Sequence, residues 1–412
     1  MITSSVYGKT PIGLEDRIAF TLILTFQISS FFTSKISLFV LGILAIALVF
    51  VCFIKNKFKV INISFIVWWY GFILVSLFSI AYSVSTMDSI GRFWSILFSL
   101  LFLGSLSQYV KSEESVKRLL NYYTIGGLLF ILINLITNIS FIISADLVNL
   151  KFGMEFSYIS IQTMCIVIWK FIYSQKYRSY YFLLILFLIS MILISGNKKS
   201  IILPIVFLAL IILIRNRKDF GRLLLSIFML LSTSILLFYV IMNNDILYSV
   251  LGQRIEGLLN FFTGFGTVDK STTTRMGLID KAIEVFFNNP LTGVGLDGFK
   301  KLNIYDVYAH NNFLELLAGL GLLGFIAYYW IYVYLLVNLF RFCKNKSNSV
   351  AILLFSLVLT LLVNDFGSIS YYRISLTLMI CISICFVSTE KKIRLSRNKV
   401  EGVNKERPVQ SS

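Results

Sequence analysis

The chain has 412 residues, of which 57% are hydrophobic and only 14% are charged, and its mean hydropathy is +0.84. A soluble globular protein cannot cover its surface at this composition, so the balance excludes that class and predicts a polytopic membrane protein. The formal net charge of +17 is interpreted as a signal of membrane topology with some attraction to anionic lipid, and not as nucleic-acid binding.

Apolar segments long enough to form membrane helices follow one another along the chain. Twelve are predicted, near residues 18–32, 36–54, 61–82, 90–110, 119–143, 156–173, 180–195, 201–214, 223–243, 312–339, 350–363 and 371–388. The predicted fold class is therefore all-α, with about twelve transmembrane helices. We divide the chain into helices 1–9 (1–243), one large periplasmic loop (244–311), helices 10–12 (312–388) and a basic cytoplasmic tail (389–412).

The distribution of lysine and arginine predicts the orientation of these helices. Every even-numbered connection between them is basic, and the connection after the second helix carries Lys55, Lys57 and Lys59. Positive charge is retained on the cytoplasmic side of a membrane. Both termini are therefore predicted to be cytoplasmic, and the large loop is predicted to face outward.

The large loop contains one candidate amphipathic helix, from Arg275 to Pro290. Its apolar side chains fall on one helical face: Met276, Ile279, Ile283, Phe286 and Phe287. Thr272 to Thr274 are candidate N-caps, and Pro290 ends the run. This helix lies on the membrane, covers a cavity or packs on top of the bundle, and the sequence leaves these alternatives open.

Four cations lie on the side of the membrane that the orientation rule leaves poor in positive charge. Lys198 and Lys199 stand in the turn between helices 7 and 8, and Arg254 and Arg275 stand in the large loop. Guanidinium and ammonium groups bind phosphate oxygens, so the set predicts an anion site. At an outer membrane boundary, the expected anion is the diphosphate of a lipid-linked sugar.

The only histidine, His310, follows a Gly-rich turn and precedes an apolar stretch, Phe313–Leu339, interpreted as one long helix. It is predicted to lie near the membrane surface, at the mouth of the bundle. Imidazole has an intrinsic pKa of about 6.5, which suits a general base at neutral pH. Glu315 is a candidate to orient the imidazole or to act as the base itself.

The glycines of the turn, Gly293, Gly295 and Gly298, have two alternative roles. Their N–H groups form a nest for an anion, or they allow a tight re-entrant turn. At outer helix ends, Asp365 and Arg373 are candidates for an ion pair. No Asp-x-Asp pair occurs in an outer connection, so neither a metal nor another cofactor is predicted.

Together these motifs resemble the membrane glycosyltransferase family of O-antigen polymerases and O-antigen ligases. The turn Ser195-Gly196-Asn197-Lys198 is similar to the family's turn that opens a helix with a basic residue, although the family usually has arginine where Lys198 stands. Arg275 followed by PLTGVGLDGF resembles the family's loop pattern. The third motif is His310 and Asn311, followed by Glu315 and a Gly-rich helix.

The resemblance implies an inverting, metal-independent transfer at the outer face of a bacterial inner membrane. The implied donor is a glycan on undecaprenyl diphosphate. His310 would remove the proton of the acceptor hydroxyl, and the cations Lys198, Lys199, Arg254 and Arg275 would bind the diphosphate. Implied partners are this lipid-linked oligosaccharide, membrane lipid, a chain-length regulator and a flippase, and no nucleic acid.

Three functions are compatible with this pattern. The turn PLTGVGLDGF favours a polymerase of surface-polysaccharide repeat units, and the alternative is a ligase that transfers the glycan to lipid A core. A polymerase holds two lipid diphosphates, so its basic groups should form two clusters. The second alternative is a transporter of lipid-linked oligosaccharide, but neither an internal repeat nor a broken helix is evident in the sequence.

Overall fold

The computed structural model describes residues 13–31, 35–57, 59–144, 152–263, 270–344 and 348–405. These residues form helices and loops, and no strand occurs among them. The long helices are α1 (Leu14–Ser29), α2 (Lys35–Lys55), α3 (Ile63–Ile80), α4 (Thr86–Tyr109), α5 (Glu113–Thr137), α7 (Met154–Tyr173), α8 (Arg178–Ile194), α9 (Lys198–Asn216), α10 (Phe220–Asn243), α13 (Lys270–Asn288), α14 (Asn312–Cys343), α15 (Ser349–Asp365) and α16 (Ile374–Lys405). The shorter elements are α6 (Ile139–Ile143), α11 (Asp245–Leu247), a π-helical turn (Tyr248–Gly252), α12 (Gln253–Thr263) and a 3₁₀ turn (Gly298–Leu302).

Each of the predicted apolar segments coincides with one of the long helices. In the described part of the chain, nine helices are long and apolar enough to cross a membrane. This confirms an all-α, multi-pass membrane protein. Helices α1, α8 and α15 have only 16, 17 and 17 residues, so a total of twelve spans stays a prediction.

The centre of the bundle forms where α3 packs against α14. Trp68 lies edge-on to Trp69, with ring centroids 4.7 Å apart, and donates its indole N–H to the carbonyl of Tyr328 at 2.9 Å. Phe72 contacts the ring of Tyr328 at 5.2 Å. An unsatisfied buried donor costs about 1–3 kcal/mol, so the bonded indole allows a large aromatic group to be buried without this penalty.

Helix α14 is broken at Gly321, whose φ of 60° and ψ of −164° are open essentially to glycine alone. The break separates residues 312–320 (α14a) from residues 322–343 (α14b). Asn312 donates to the Tyr329 hydroxyl at 2.7 Å, and the ring of Phe313 stacks on Tyr329 at 4.8 Å. In a straight helix, Asn312 and Tyr329 would be about 25 Å apart. α14a therefore folds back along α14b.

The prediction of one continuous helix over Phe313–Leu339 is wrong for this reason. Hydropathy shows only which residues are apolar. Because α14a and α14b are both apolar, it cannot reveal the break between them. Gly321, inside this apolar stretch, reverses the chain direction. The sequence also predicts no broken helix, and the break in α14 at Gly321 shows that this prediction is wrong.

The Gly-rich turn closes the break in α14. Four backbone hydrogen bonds join the two segments: Val294 N to Ala318 O (3.0 Å), Gly295 N to Gly319 O (2.8 Å), Leu322 N to Pro290 O (2.9 Å) and Leu323 N to Leu291 O (3.2 Å). The last carbonyls and the first N–H groups of a helix have no partner within the helix itself. The turn therefore provides partners for two carbonyls at the end of α14a and for two N–H groups at the start of α14b.

The same bonds distinguish the two roles considered for the turn. The amides of Gly293, Gly295 and Gly298 donate to the carbonyls of Asn289, Gly319 and Gly295. A Cβ built on Gly293 would lie 2.5 Å from the backbone of Gly319. The glycines therefore allow a tight re-entrant turn, and their N–H groups are occupied and do not form a nest for an anion.

Helix α13 begins at Lys270, before the predicted start, so Thr272 to Thr274 lie inside it and do not cap it. Its buried stripe consists of Leu278, Ala282 and Val285, which pack in one cluster with residues of the Gly-rich turn and α14a. The predicted apolar face was wrong, since Met276, Ile283 and Phe287 are exposed. Of the three alternatives, the helix packs on the bundle.

The loop between α15 and α16 lies well inside the bundle. The ring of Tyr371 is 6.0 Å from that of Phe72, which lies about 12 Å along α3 from its end at Ile80. The N–H groups of Ser370 and Tyr371 donate to the side-chain oxygen of Asn312 at 2.8 and 3.2 Å. These buried residues form the floor of a region that we call the depression, whose partly exposed side chains are Tyr308, His310, Tyr372 and Arg373.

Candidate functional site

His310 lies next to this floor, two residues before the start of α14a, and its position near the membrane surface stays a prediction. Its backbone is left-handed, with φ of 55°, which costs of order 1–3 kcal/mol for a residue other than glycine. The half-buried imidazole lies against the ring of Tyr308, with centroids 4.4 Å apart. No residue in the described part of the chain hydrogen-bonds the imidazole, so its nitrogens remain free for a substrate.

Glu315 contacts the backbone beside His310 and not the imidazole. Its Oε2 accepts the N–H of Ala309 at 2.8 Å, and the side chain is almost fully buried. The other oxygen, Oε1, has no hydrogen-bond partner among the described residues. The carboxylate thus fixes the loop that carries His310. A direct action of Glu315 on the imidazole, or as the base, stays a prediction.

Two of the predicted cations act on His310. Its pKa is lowered from 6.5 to about 4, first by burial and then by the positive charges of Arg275 and Lys199. The imidazole is therefore neutral at pH 7 and able to accept a proton. Lys199 donates to the carbonyl of Gly367, whereas Arg275 is exposed and pairs with no described carboxylate. Arg275 and Lys199 thus supply positive charge beside the base.

The turn before α9 places its two lysines at the start of a helix. Gly196 has φ of 65°, and the Asn197 side chain caps α9 by accepting the N–H of Lys199 at 3.1 Å. Cations at a helix N-terminus oppose the macrodipole at a cost of about 0.3–1 kcal/mol each. Their placement therefore suits an anionic ligand. The side chains of Lys198 and Arg254 lie outside the described residues, so their roles stay predictions.

Arg373 and Asp365 do not pair with each other, so the candidate ion pair is corrected. Asp365 accepts from the Tyr329 hydroxyl at 2.7 Å, whereas Arg373 Nη1 binds Glu155 at 2.7 Å. Glu155 lies in the first turn of α7 and is 218 residues from Arg373 in sequence. Arg373 thus joins the depression as a cation beside Tyr308, because its charge acts on that phenol.

Arg92 is a further basic residue that sequence reasoning missed. Its Nη2 binds both carboxylate oxygens of Asp297, at 3.0 and 3.2 Å, and its guanidinium lies 3.7 Å from the centroid of the Tyr372 ring. An arginine within an apolar helix is expensive in a membrane unless it is paired or functional. The position of Arg92 inside the fourth apolar segment was the signal that could have found it.

The neutral imidazole leads to a pH prediction. The pKa of His310 is depressed from 6.5 to about 4, so its reactive neutral form should persist down to about pH 4 and be lost only below it. Because the unfolded state binds this proton at higher pH, the group also lowers stability as pH falls from 6.5 to 4. Arg275→Ala removes one cation and should move the titration upward.

The chain has one histidine, so acylation by diethyl pyrocarbonate can be followed without interference if the purification tag contains none. The rate of modification against pH should have its midpoint near 4 in wild type and at a higher pH in Arg275→Ala, still below 6.5 because burial, the larger cause of the lowered pKa, remains. Lys281→Ala, in an exposed ion pair on α13, is the control. Equal midpoints in wild type and Arg275→Ala would contradict the electrostatic coupling.

The fold and this geometry define a multi-pass membrane protein with a recessed, basic site at one end of the bundle and a neutral imidazole within it. Residues 181–329 match the family model described as O-antigen ligase. The matched range runs from α8 into α14b and contains Lys199, Arg275 and His310. No curated protein matches the chain.

The match confirms the resemblance to O-antigen polymerases and ligases. It supports a glycosyltransferase-like enzyme of the ligase or polymerase type that acts on lipid-linked glycans.

Among the described residues, no three His, Cys, Asp or Glu side chains are grouped so that they could hold a metal ion.

Proposed function

We propose that the protein is a polysaccharide polymerase that transfers a glycan from undecaprenyl diphosphate to a sugar hydroxyl of another lipid-linked repeat unit. The observation that carries this proposal is the neutral imidazole of His310 beside Arg275 and Lys199. A general base and two cations in one recess provide what a transfer with a diphosphate leaving group requires. The bacterial inner membrane, with the site facing outward, is the proposed location.

In the proposed reaction, the acceptor oxygen attacks the anomeric carbon of the donor as the bond from that carbon to the diphosphate oxygen breaks. His310 takes the hydroxyl proton, and the configuration inverts. Charge develops on the leaving lipid diphosphate, and Arg275 and Lys199 offset it. This anion also offsets the two positive charges that depress the pKa of His310, so donor binding should strengthen the base.

A specific observation keeps the ligase as the second candidate. A polymerase is expected to have two clusters of basic residues, one for each lipid diphosphate. The basic residues around the depression differ in whether a carboxylate neutralises them. Among the described residues, Arg275 and Lys199 have no carboxylate partner, whereas four other basic residues around the depression do: Arg92 with Asp297, Lys300 with Asp88, Lys301 with Asp306 and Arg373 with Glu155. One uncompensated cluster fits one diphosphate, as in a ligase, whereas the PLTGVGLDGF turn favours the polymerase.

The transporter is disfavoured even though α14 is broken. At its break, four backbone hydrogen bonds to the Gly-rich turn occupy groups at both helix ends. Broken helices in transporters usually place free helix ends at the substrate site. The polar and charged groups of the depression also lie at one end of the bundle.

Glycan profiling of a deletion strain separates these functions. A polymerase predicts lipid A core carrying a single repeat unit in the deletion strain, with a full ladder restored by the wild-type gene. A ligase predicts core without any repeat and accumulated lipid-linked polymer. An unchanged ladder in the deletion strain would contradict both transferases, and accumulation of lipid-linked single units on the cytoplasmic face would indicate the transporter.

A further inference from the structure

We infer that Arg92 and Arg373, held together on the ring of Tyr372, form a subsite for an uncharged sugar of the glycan, separate from the diphosphate site at Arg275 and Lys199. The inference rests on the proposed glycosyl transfer and adds where the sugar binds. The residues come from α4 and from the start of α16, and no sequence motif links them.

Each arginine is fixed in place by one acidic residue. Arg373 Nη1 binds Glu155 at 2.7 Å, and the hydroxyl of Ser375 binds the other oxygen of Glu155, also at 2.7 Å. Arg92 binds Asp297 through Nη2 at 3.0 and 3.2 Å. The guanidinium groups are thus oriented before any ligand arrives, which lowers the entropy cost of binding.

Both arginines retain hydrogen-bond donors that the protein does not use. A guanidinium has five N–H donors. In the described part of the chain, Nε of Arg92 and Nε of Arg373 are buried without a partner. The side chains are 21% and 18% exposed, so part of each group is open to the depression. The Nε atoms themselves are buried, so a ligand would contact the other guanidinium nitrogens. Among the described residues, Nη1 of Arg92 has no hydrogen-bond partner and Nη2 of Arg373 has only the sulfur of Met154, at 3.8 Å.

The two groups are close enough to act on one sugar. The Cζ atoms of Arg92 and Arg373 lie 3.7 and 5.3 Å from the centroid of Tyr372, so they are separated by no more than the sum of these distances. Burial raises the pKa of Tyr308, while the charges of Arg373 and Arg275 oppose that rise. Tyr308 lies against His310, so the subsite is next to the base.

Charge balance indicates which part of the substrate binds here. Each arginine is paired with a carboxylate, so the two ion pairs together carry no net charge. A multiply charged diphosphate therefore gains little electrostatic attraction from them. Arg275 has no such partner. Oriented donors without net charge suit sugar hydroxyls, whereas the unpaired cation suits phosphate. The half-exposed ring of Tyr308 adds an apolar surface for one face of the sugar.

Binding measurements on the full chain in lipid nanodiscs test the assignment with two probes. Farnesyl diphosphate carries the diphosphate without a sugar. The repeat-unit oligosaccharide, released from the host's lipid-linked intermediates by mild acid, carries the sugars without a diphosphate. Arg373→Ala and Arg92→Ala should each weaken oligosaccharide binding at least tenfold and change farnesyl diphosphate binding less than twofold. Arg275→Ala should show the reverse pattern.

Arg373→Lys keeps a positive partner for Glu155 and so preserves the fold. Because lysine lacks the planar, forked donors of the guanidinium, this variant should weaken oligosaccharide binding less than Arg373→Ala does. Arg222→Ala, in an exposed ion pair at the other end of the bundle, should change neither affinity. Weaker farnesyl diphosphate binding in Arg373→Ala would assign the arginine to the diphosphate instead. Unchanged oligosaccharide binding in both alanine variants would also overturn the subsite. Failure of wild type to bind either probe would count against the proposed function itself.

Discussion

Replacing His310 by glutamine is expected to lower turnover by about 10²–10⁴, the usual contribution of a positioned general base. Glutamine is uncharged, as the imidazole is at pH 7, so binding of the donor diphosphate should change less than twofold. The measurement is single-turnover transfer with saturating lipid-linked donor and acceptor. A slower chemical step with unchanged donor affinity separates loss of the base from loss of binding.

The control for this variant is Tyr305→Phe, in the same loop. It removes only the hydroxyl of a side chain that is exposed and lies outside the proposed site. We expect its turnover to stay within about threefold of wild type. If His310→Gln retained full turnover, His310 would not be the base, and Glu315, whose Oε1 has no described partner, would become the candidate.

Substituting alanine for Gly321 is expected to destabilise the protein by about 3 kcal/mol or more, because two penalties combine. The residue has φ of 60°, and forcing such a backbone on a residue with a side chain costs of order 1–3 kcal/mol. A Cβ would also lie 2.4 Å from the backbone of Leu291, and such overpacking typically costs about 1–3 kcal/mol. Thermal unfolding in detergent measures the loss.

Gly319→Ala is the control in the same helix. Its φ is not left-handed, and its Cβ would approach only the carbonyl oxygen of Gly295, at 3.4 Å. We expect its melting temperature to stay within a few degrees of wild type. Equal melting temperatures for the Gly319 and Gly321 variants would mean that the break in α14 is not required for the fold.

The break at Gly321 connects stability to the site. It allows α14a to fold back, which brings Asn312 to Tyr329 and leaves His310 beside the floor of the depression. The Gly-rich turn stabilises this arrangement by backbone hydrogen bonds to both sides of the break and by the packing of Val294 and Phe299. The turn is thus part of the support of the base and not a ligand for the substrate. The Gly321 variant should therefore lose transfer activity together with stability.

The sequence by itself determined the features that depend on local composition. Every predicted apolar segment coincides with a helix, because hydrocarbon requires both apolar side chains and internally bonded backbone. The sequence also singled out Lys199, Arg275 and His310, which the structure brings together. Histidine is rare in this chain and basic residues are rare on the outer side of a membrane, so their positions carry information even without coordinates.

Only the tertiary structure decided the features that depend on contacts distant in sequence. A glycine in an apolar stretch is compatible with a straight helix or a reversal, and the hydrogen bonds of Gly321's neighbours to Pro290 and Leu291 select the reversal. The stripe that α13 buries depends on the surface beneath it. Arg92 binds Asp297 and Arg373 binds Glu155, and in each pair the two residues are more than two hundred positions apart in the chain. Only the folded structure therefore distinguishes these carboxylate-paired arginines from Arg275, which has no described carboxylate partner.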